Sequence, residues 1–186
     1  MKASSLRVIG GALRGRRIAG PTWEGLRPTS DRLRETVFNV LSARVTGARW
    51  VDACAGTGAI GIEALSRGAA HVTFLETDPR ARALIHANLD RCGIGERYTM
   101  SPRGVQQAAR ALPPAGADII YLDPPYDAAD LDAQIFALAD VLAPGGVLVV
   151  EHATRRASPE QAGSVVRVRT LVSGDSTLSF YERQDS

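Results

Sequence analysis

Cysteine is scarce in this chain. Cys54 and Cys92 are the only two, and no CxxC pair accompanies them. That excludes a disulfide framework and a cysteine zinc site, and points to reduced thiols in a cytoplasm. No stretch approaches the roughly 20 apolar residues of a membrane-spanning helix. The first residues, MKASSLRVIGG, lack the apolar core of a secretory signal. No internal repeat and no low-complexity tract interrupts the 186 residues, a length near that of one domain. His71, His86 and His152 are scattered without ligand spacing, so packing or surface roles are expected and a metal site is not. Nothing in the pattern demands a dimer or a membrane partner, and a monomer is expected.

What is present is unevenly charged. The net charge is +2, yet residues 1–44 carry nine Lys/Arg against three acids, and the rest of the chain has an excess of acids. A basic arm on an acidic body is the footprint of a polyanion partner, nucleic acid most often.

Periodicity divides the chain the same way. Leu6–Ile9 and Leu13–Ile18, separated by glycines, predict a small basic β-ribbon. Pro21 to Pro28 reads as a loop. Thr29 or Ser30 caps a helix running to about Arg44, with Leu33, Val37, Phe38, Val40 and Leu41 as its apolar stripe and Arg32, Arg34 and Glu35 mostly off it. From Arg49 onward short apolar runs alternate with helical ones. Strands are expected at Trp50–Ala53, His71–Glu76, Arg97–Ser101, Asp118–Leu122 and Gly146–Val150. Helices are expected at Ala59–Arg67, Pro79–Cys92, Val105–Ala111 and Ala128–Leu142. This is the signature of βαβ units and a parallel sheet covered on both faces. Val165–Val172, SGD and Ser176–Glu182 predict a final antiparallel hairpin. The expected class is α/β: a Rossmann-like, mostly parallel sheet of the S-adenosylmethionine (SAM)-dependent methyltransferase plan, with the C-terminal hairpin and a basic N-terminal ribbon and helix. Two parts are expected, an extension over 1–44 packed on a core domain over 45–186.

VDACAGTGAIGIEALSRG follows the first parallel strand and opens a helix, and Gly56, Gly58 and Gly61 match GxGxxG. Glycine lets the backbone turn tightly and approach a ligand. Glu76, ending the second strand, can accept the ribose hydroxyls of an adenosine. NAD and SAM both contain that adenosine, so a nucleotide-binding dehydrogenase stays open at this point. Asp52 separates them, because a carboxylate before the turn repels a pyrophosphate but suits a methionyl ammonium. After the third strand TMSPRG offers no acid or amide, leaving Ser101 or the backbone near Arg103 for the adenine. Cys54 has no His or Lys near it in sequence and reads as a small apolar filler. Glu151, after the fifth strand, reads as structural.

YLDPPYD ends the fourth strand with rigid chemistry. Asp52, Glu76 and Asp123 all close parallel strands, and ligands in open α/β sheets bind beyond those ends. An exocyclic amine is hard to methylate because its lone pair is conjugated into the base. The Asp123 carboxylate and the Pro124 carbonyl are two acceptors for its two N–H bonds. Pro124 and Pro125 fix the backbone so that the acceptors stay in place. Tyr126 offers a face for a flipped base. The catalytic candidates are therefore Asp123, Pro124, Pro125 and Tyr126, with no metal. The same corner would serve an adenine-N6 DNA methyltransferase, but no insertion large enough for a target-recognition region is present. A non-catalytic RNA-binding module has no use for a rigid acceptor pair.

LRVIGGALRGRRI, GLRPTSDRLRETVFNVL, VDACAGTGAIGIEALSRGA and LDPPY together resemble the RsmD-type methyltransferases of small-subunit (16S) ribosomal RNA, from about Leu6 to about Tyr181. The resemblance implies methylation from SAM of the N2 of a guanine, position 966 of that RNA. It implies cofactor contacts at Asp52, Ala55, Gly56, Thr57, Gly58 and Glu76, and the target amine at Asp123–Tyr126. It assigns RNA contact to the ribbon, with Arg7, Arg14, Arg16 and Arg17, and to RPTSDR, with Arg27, Thr29 and Arg32. The expected partner is 16S rRNA, within an assembling small subunit. Two departures stand out. Cys54 replaces a larger apolar residue, which predicts looser packing over the turn. Pro102–Arg103 replaces a polar Asp or Asn at the adenine.

Overall fold

A computed structural model describes residues 5–26 and 29–184. Arg27, an expected RNA contact, lies outside the described residues. Strands β1 (Ser5–Arg7) and β2 (Arg17–Ala19) pair antiparallel as the expected ribbon, but each is shorter than the pattern predicts. The reason lies in what the intervening backbone bonds to. Buried Glu63 accepts the N–H groups of Ile9 and Gly10, both at 2.7 Å, and the Ser66 hydroxyl accepts that of Leu13 at 3.0 Å. These donors are satisfied by the body instead of by a longer ladder. At Gly11, with φ +75°, any β-carbon would collide with the Ser66 carbonyl.

Helix α1 (Asp31–Val40) starts where the cap signal places it: Ser30 Oγ accepts from Leu33 N–H at 3.2 Å. It ends earlier than expected. At Leu41 the backbone turns to φ −91°, ψ 1°, and α2 (Ser42–Val45) carries the chain on, so that Leu41 and Val45 are both buried. Arg34 departs from the expected exposed face and is fully buried. Its Nη2 donates to the Arg7 carbonyl at 2.9 Å and to Asp31 at 2.6 Å, which ties α1 to β1. Its Nε and Nη1 have no partner among the described residues.

The remaining elements are β3 (Arg49–Ala53), α3 (Ala59–Ser66), β4 (His71–Leu75), α4 (Pro79–Cys92), β5 (Tyr98–Ser101), α5 (Val105–Ala109), β6 (Ala117–Leu122), α6 (Leu131–Ala139), β7 (Leu142–Ala153), β8 (Gln161–Ala162), β9 (Val165–Ser173) and β10 (Ser176–Arg183). They form one eight-stranded sheet in the order β5-β4-β3-β6-β7-β10-β9-β8. Strands β3 to β7 run parallel, and β10 inserts antiparallel between β7 and β9. The α/β plan is as expected. α6 stops before Leu142 because that residue already pairs with Ala117 in the sheet, and this lengthens β7 beyond its predicted start. β5 begins after Arg97, which sits at φ +68°.

Strand alternation gives the sheet two apolar faces. Trp50, Phe74, Ile119, Tyr121 and Val149 meet α1, α3, α4 and the ribbon residues Val8 and Ile18 in one core. Val51, Leu75, Ile120, Leu122 and Val150 meet α5 and α6 in the other. The N-terminal residues thus bury their apolar side in the same core as the helices beside them. α3 is buried along its whole length. It approaches the sheet at Gly61, where a β-carbon would run into the Phe74 ring and lie 2.9 Å from Val72 Cγ1. Gly61→Ala should therefore cost about 1–3 kcal/mol through overpacking. Urea unfolding would read this as a lower midpoint with an unchanged m-value.

Candidate active site

The strand order reverses at β3, whose neighbours are β4 and β6. This is the switch point where open α/β sheets hold ligands. A cavity of about 770 Å³ opens there, within the usual range for small-molecule sites. Asp52, Glu76, Asp123 and Glu151 all line it. None of the four is in an ion pair among the described residues. Such a site calls for a cation and disfavours a pyrophosphate.

Each acid has its own setting. Asp52, in β3, is buried and accepts the Gly61 N–H at 2.9 Å. Burial, and secondarily Glu76, push its carboxyl up to about 8. Glu76 follows β4 and holds the glycine turn, accepting from Gly56 N–H at 2.8 Å and from Asp78 N–H at 2.9 Å. Asp123 follows β6, and its N–H donates to the Ala53 carbonyl at 3.2 Å. Burial raises its carboxyl well above the usual range, and the nearby charges of Glu151 and Asp52 add to this. Glu151, in β7, accepts from Tyr121 OH at 2.6 Å and from Ser176 Oγ at 3.0 Å. Tyr126 OH bonds to Ser176 Oγ and reaches Glu151 at 3.5 Å.

The turn between β3 and α3 carries positive φ at Cys54 (+62°), Gly56 (+54°) and Gly58 (+75°). A β-carbon on Gly56 would sit 3.0 Å from Leu26 Cδ1, and one on Gly58 3.0 Å from Ile85 Cγ2. The turn is thus close-packed from above as well as below, and Cys54 packs at the edge of the second core. Its thiol is pushed up to about 12 by burial, then by Asp123, Glu76 and Asp52, which disfavours the thiolate form.

Most sequence-derived site residues converge. Asp52, Ala55, Gly56, Thr57, Glu76, Arg103 and Asp123–Tyr126 line the one cavity. Gly58 and Ser101 do not. Gly58 caps α3 against Ile85, and the Ser101 hydroxyl turns to the Arg103 N–H at 3.4 Å. The Pro124 carbonyl has no donor among the described residues, whereas that of Pro125 is used by Ala128 N–H at 2.9 Å. Thr29, assigned to RNA, turns into the cavity and donates to Asp123 at 3.4 Å. Arg14, Arg16, Arg17 and Arg32 are exposed, and Arg16 reaches the Arg91 carbonyl at 3.4 Å. Arg7 is exposed but pairs with Asp31 at 3.0 Å.

Sequence reasoning missed part of the wall. Trp23 and Leu26, from the loop after the ribbon, line the cavity, and Arg80 lies over the Trp23 ring at 5.2 Å. Ser173, Asp175 and Ser176 come from the hairpin between β9 and β10. Trp23 in a loop otherwise rich in turn residues was a usable signal. The hairpin residues gave none.

Fold and crevice together define the class: a Rossmann-like α/β fold of the SAM-dependent methyltransferase type. The family model described as Conserved hypothetical protein 95 matches residues 6–182, and the chain belongs to that family. The expected kinship with RsmD-type proteins is borne out. "Ribosomal RNA small subunit methyltransferase D" of Escherichia coli (strain K12) is 33% identical over 184 residues, covering 98% of this chain and 92% of that one. The solved structure of yhhF from Escherichia coli matches with a TM-score of 0.86 at 30% identity, over 98% of this chain and 100% of that chain. SMU.776, solved with S-adenosylhomocysteine (SAH), shares the fold with a TM-score of 0.71 at 16% identity, over 90% of this chain and 53% of that chain.

The raised carboxyl of Asp52 has a consequence for stability. Its folded value near 8 exceeds the ordinary 3.8. The stability it contributes is complete below pH 4 and is lost as pH rises through 8, by up to about 1.4 kcal/mol per pH unit. Asp52→Asn keeps an acceptor for Gly61 and removes this titration. Its melting temperature should exceed that of the wild type at pH 8 and converge with it near pH 4, as read by scanning calorimetry.

Proposed function

We propose that this protein transfers a methyl group from SAM to the exocyclic N2 of a guanine in small-subunit ribosomal RNA, guanine 966. The observation that carries the reading is the Asp123–Pro124 corner. It presents a carboxylate and a free carbonyl on stiff backbone, in the same crevice as Asp52, Glu76 and the glycine turn. The relatives named as ribosomal RNA small subunit methyltransferase D support the substrate class.

The residues present fit the cofactor. Asp52 would hold its ammonium, Glu76 its ribose, and Ala55–Thr57 the chain between them, with Trp23, Arg103 and Val105 toward the adenine. Bound there, SAM supplies an electrophilic methyl on a cationic sulfur, and the unpaired carboxylates suit that charge.

The chain's own task is to present the nucleophile. Ionised Asp123 and the Pro124 carbonyl accept the two amine hydrogens and turn the nitrogen lone pair out of conjugation. Asp123 then takes the proton that the nitrogen sheds, a role suited to a carboxyl raised by burial. Tyr126, held by Ser176 and Glu151, gives the base a fixed face. The rigid corner lowers the barrier by holding the reacting atoms together. The extension over 1–44 carries the RNA, with Arg14, Arg16 and Arg17 on phosphates, while the crevice selects the base. Thr29 bridges the two at Asp123. We place the enzyme in the cytoplasm, as a monomer acting on an assembling subunit.

Asp123→Ala should bind SAH with little change and lose about 100-fold or more in turnover. Labelled SAM with unmodified small subunits, naked rRNA, tRNA and DNA reads both the rate and the product. Label on adenine of DNA, or full activity in the variant, rejects the reading. Replacing Arg14, Arg16 and Arg17 with Ala should lower the slope of log K against log salt by about 2–3. An unchanged slope removes them from the interface.

A further inference from the structure

We propose that Asn88 is a positioning residue that joins the basic ribbon to the cofactor turn, so that RNA on one and cofactor on the other strengthen each other's binding. The inference rests on the methyltransferase reading above. Asn88 lies in α4 and is fully buried. Its Oδ1 accepts from the Ala19 N–H at 2.7 Å. Its Nδ2 donates to the Ala19 carbonyl and to the Thr57 carbonyl, both at 3.0 Å. It grips Ala19 as a neighbouring strand would, by both polar groups of one residue. Ala19 ends β2, the strand that begins at exposed Arg17.

The contact to Thr57 reaches the cofactor. The Thr57 carbonyl and the Gly58 N–H belong to one peptide plane. Gly58 N–H donates to the Ala55 carbonyl at 2.7 Å, so Asn88 pins the opposite edge of the same plane. The plane leads into Gly58 at φ +75° and follows Gly56 at φ +54°. Glycine populates both signs of φ at little cost, so this peptide is the soft point of the turn. Rotating it would reshape the cavity wall at Thr57.

Other anchors of the ribbon do not do this. Glu63 and Ser66 hold Ile9, Gly10 and Leu13 onto α3, and Arg34 holds Arg7. Among the described residues, Asn88 is the one side chain hydrogen-bonded both to the ribbon and to the glycine turn. A load on the ribbon that steadies Ala19 steadies the Thr57–Gly58 peptide through the same amide group, and the effect is reciprocal.

Asn88→Asp is isosteric, keeps the acceptor for Ala19 N–H, and leaves at most one donor, the O–H of a protonated carboxyl, for two carbonyls, so the Ala19 and Thr57 carbonyls are no longer held together. The test titrates SAH calorimetrically into wild type and variant, with and without unmodified small subunits as the source of rRNA. Amide hydrogen exchange at Gly58 and Ala19 is followed in the RNA-free proteins. Saturating rRNA should tighten SAH binding to the wild type by about fivefold or more. The variant alone should bind SAH about three- to tenfold more weakly, respond to rRNA by less than about twofold, and exchange Gly58 faster. Wild-type affinity and exchange in the variant, or coupling retained in it, would overturn the joint. A wild type that binds SAH and rRNA independently does so too. A wild type that binds neither ligand defeats the methyltransferase reading itself. Should Asn88→Asp fail to fold, Asn88→Ser, which leaves one short donor, is read by the same measurements against the same outcomes.

Discussion

Adjacent parallel strands that end together set the terms for everything else in this protein. β3, β4 and β6 stop side by side, and the register leaves Asp52, Glu76 and Asp123 around one poorly solvated space. Burial and neighbouring charge raise the proton affinity of Asp52 and Asp123, and the cluster repels any anion. A crevice lined by four acids without ion-pair partners among the described residues favours a ligand that brings positive charge. The fold builds this crevice with ordinary βαβ connections, and the chemistry follows from where the strands end.

Backbone chemistry then decides how well the space is shaped. Glycine at 56 and 58 lets the chain turn under Leu26 and over Ile85 without a side chain in between. Proline does the opposite at 124 and 125, taking backbone freedom away beside Asp123. Side chains far along the sequence finish the work. Glu151 and Ser176, from β7 and β10, fix Tyr126, so the C-terminal hairpin belongs to the wall of the crevice although it lies outside the parallel sheet.

Local physics carried much of this into the sequence. The alternation of strands and helices, the cap at Ser30, the glycine turn and the acids at strand ends were all readable, because each depends on neighbours within a few positions. What could not be read depends on contacts across the fold. Arg34 looked like a solvated helix residue, and only the Arg7 carbonyl and Asp31 explain its burial. The ribbon looked longer because nothing local says that Glu63 will take the amides of Ile9 and Gly10. Thr29 read as part of a polar, basic string and gave no hint of its bond to Asp123.

The mounting of the ribbon separates two kinds of change. At Gly11 the loop rests directly on the α3 backbone, where no side chain has room. Arg14, Arg16 and Arg17 are exposed, and Arg16 reaches the Arg91 carbonyl in α4. Lineages or designers can therefore rewrite the arm's charge pattern while the bracket beneath stays untouched. Altering the bracket instead would shift the whole arm relative to the chemistry, whatever charges it bore.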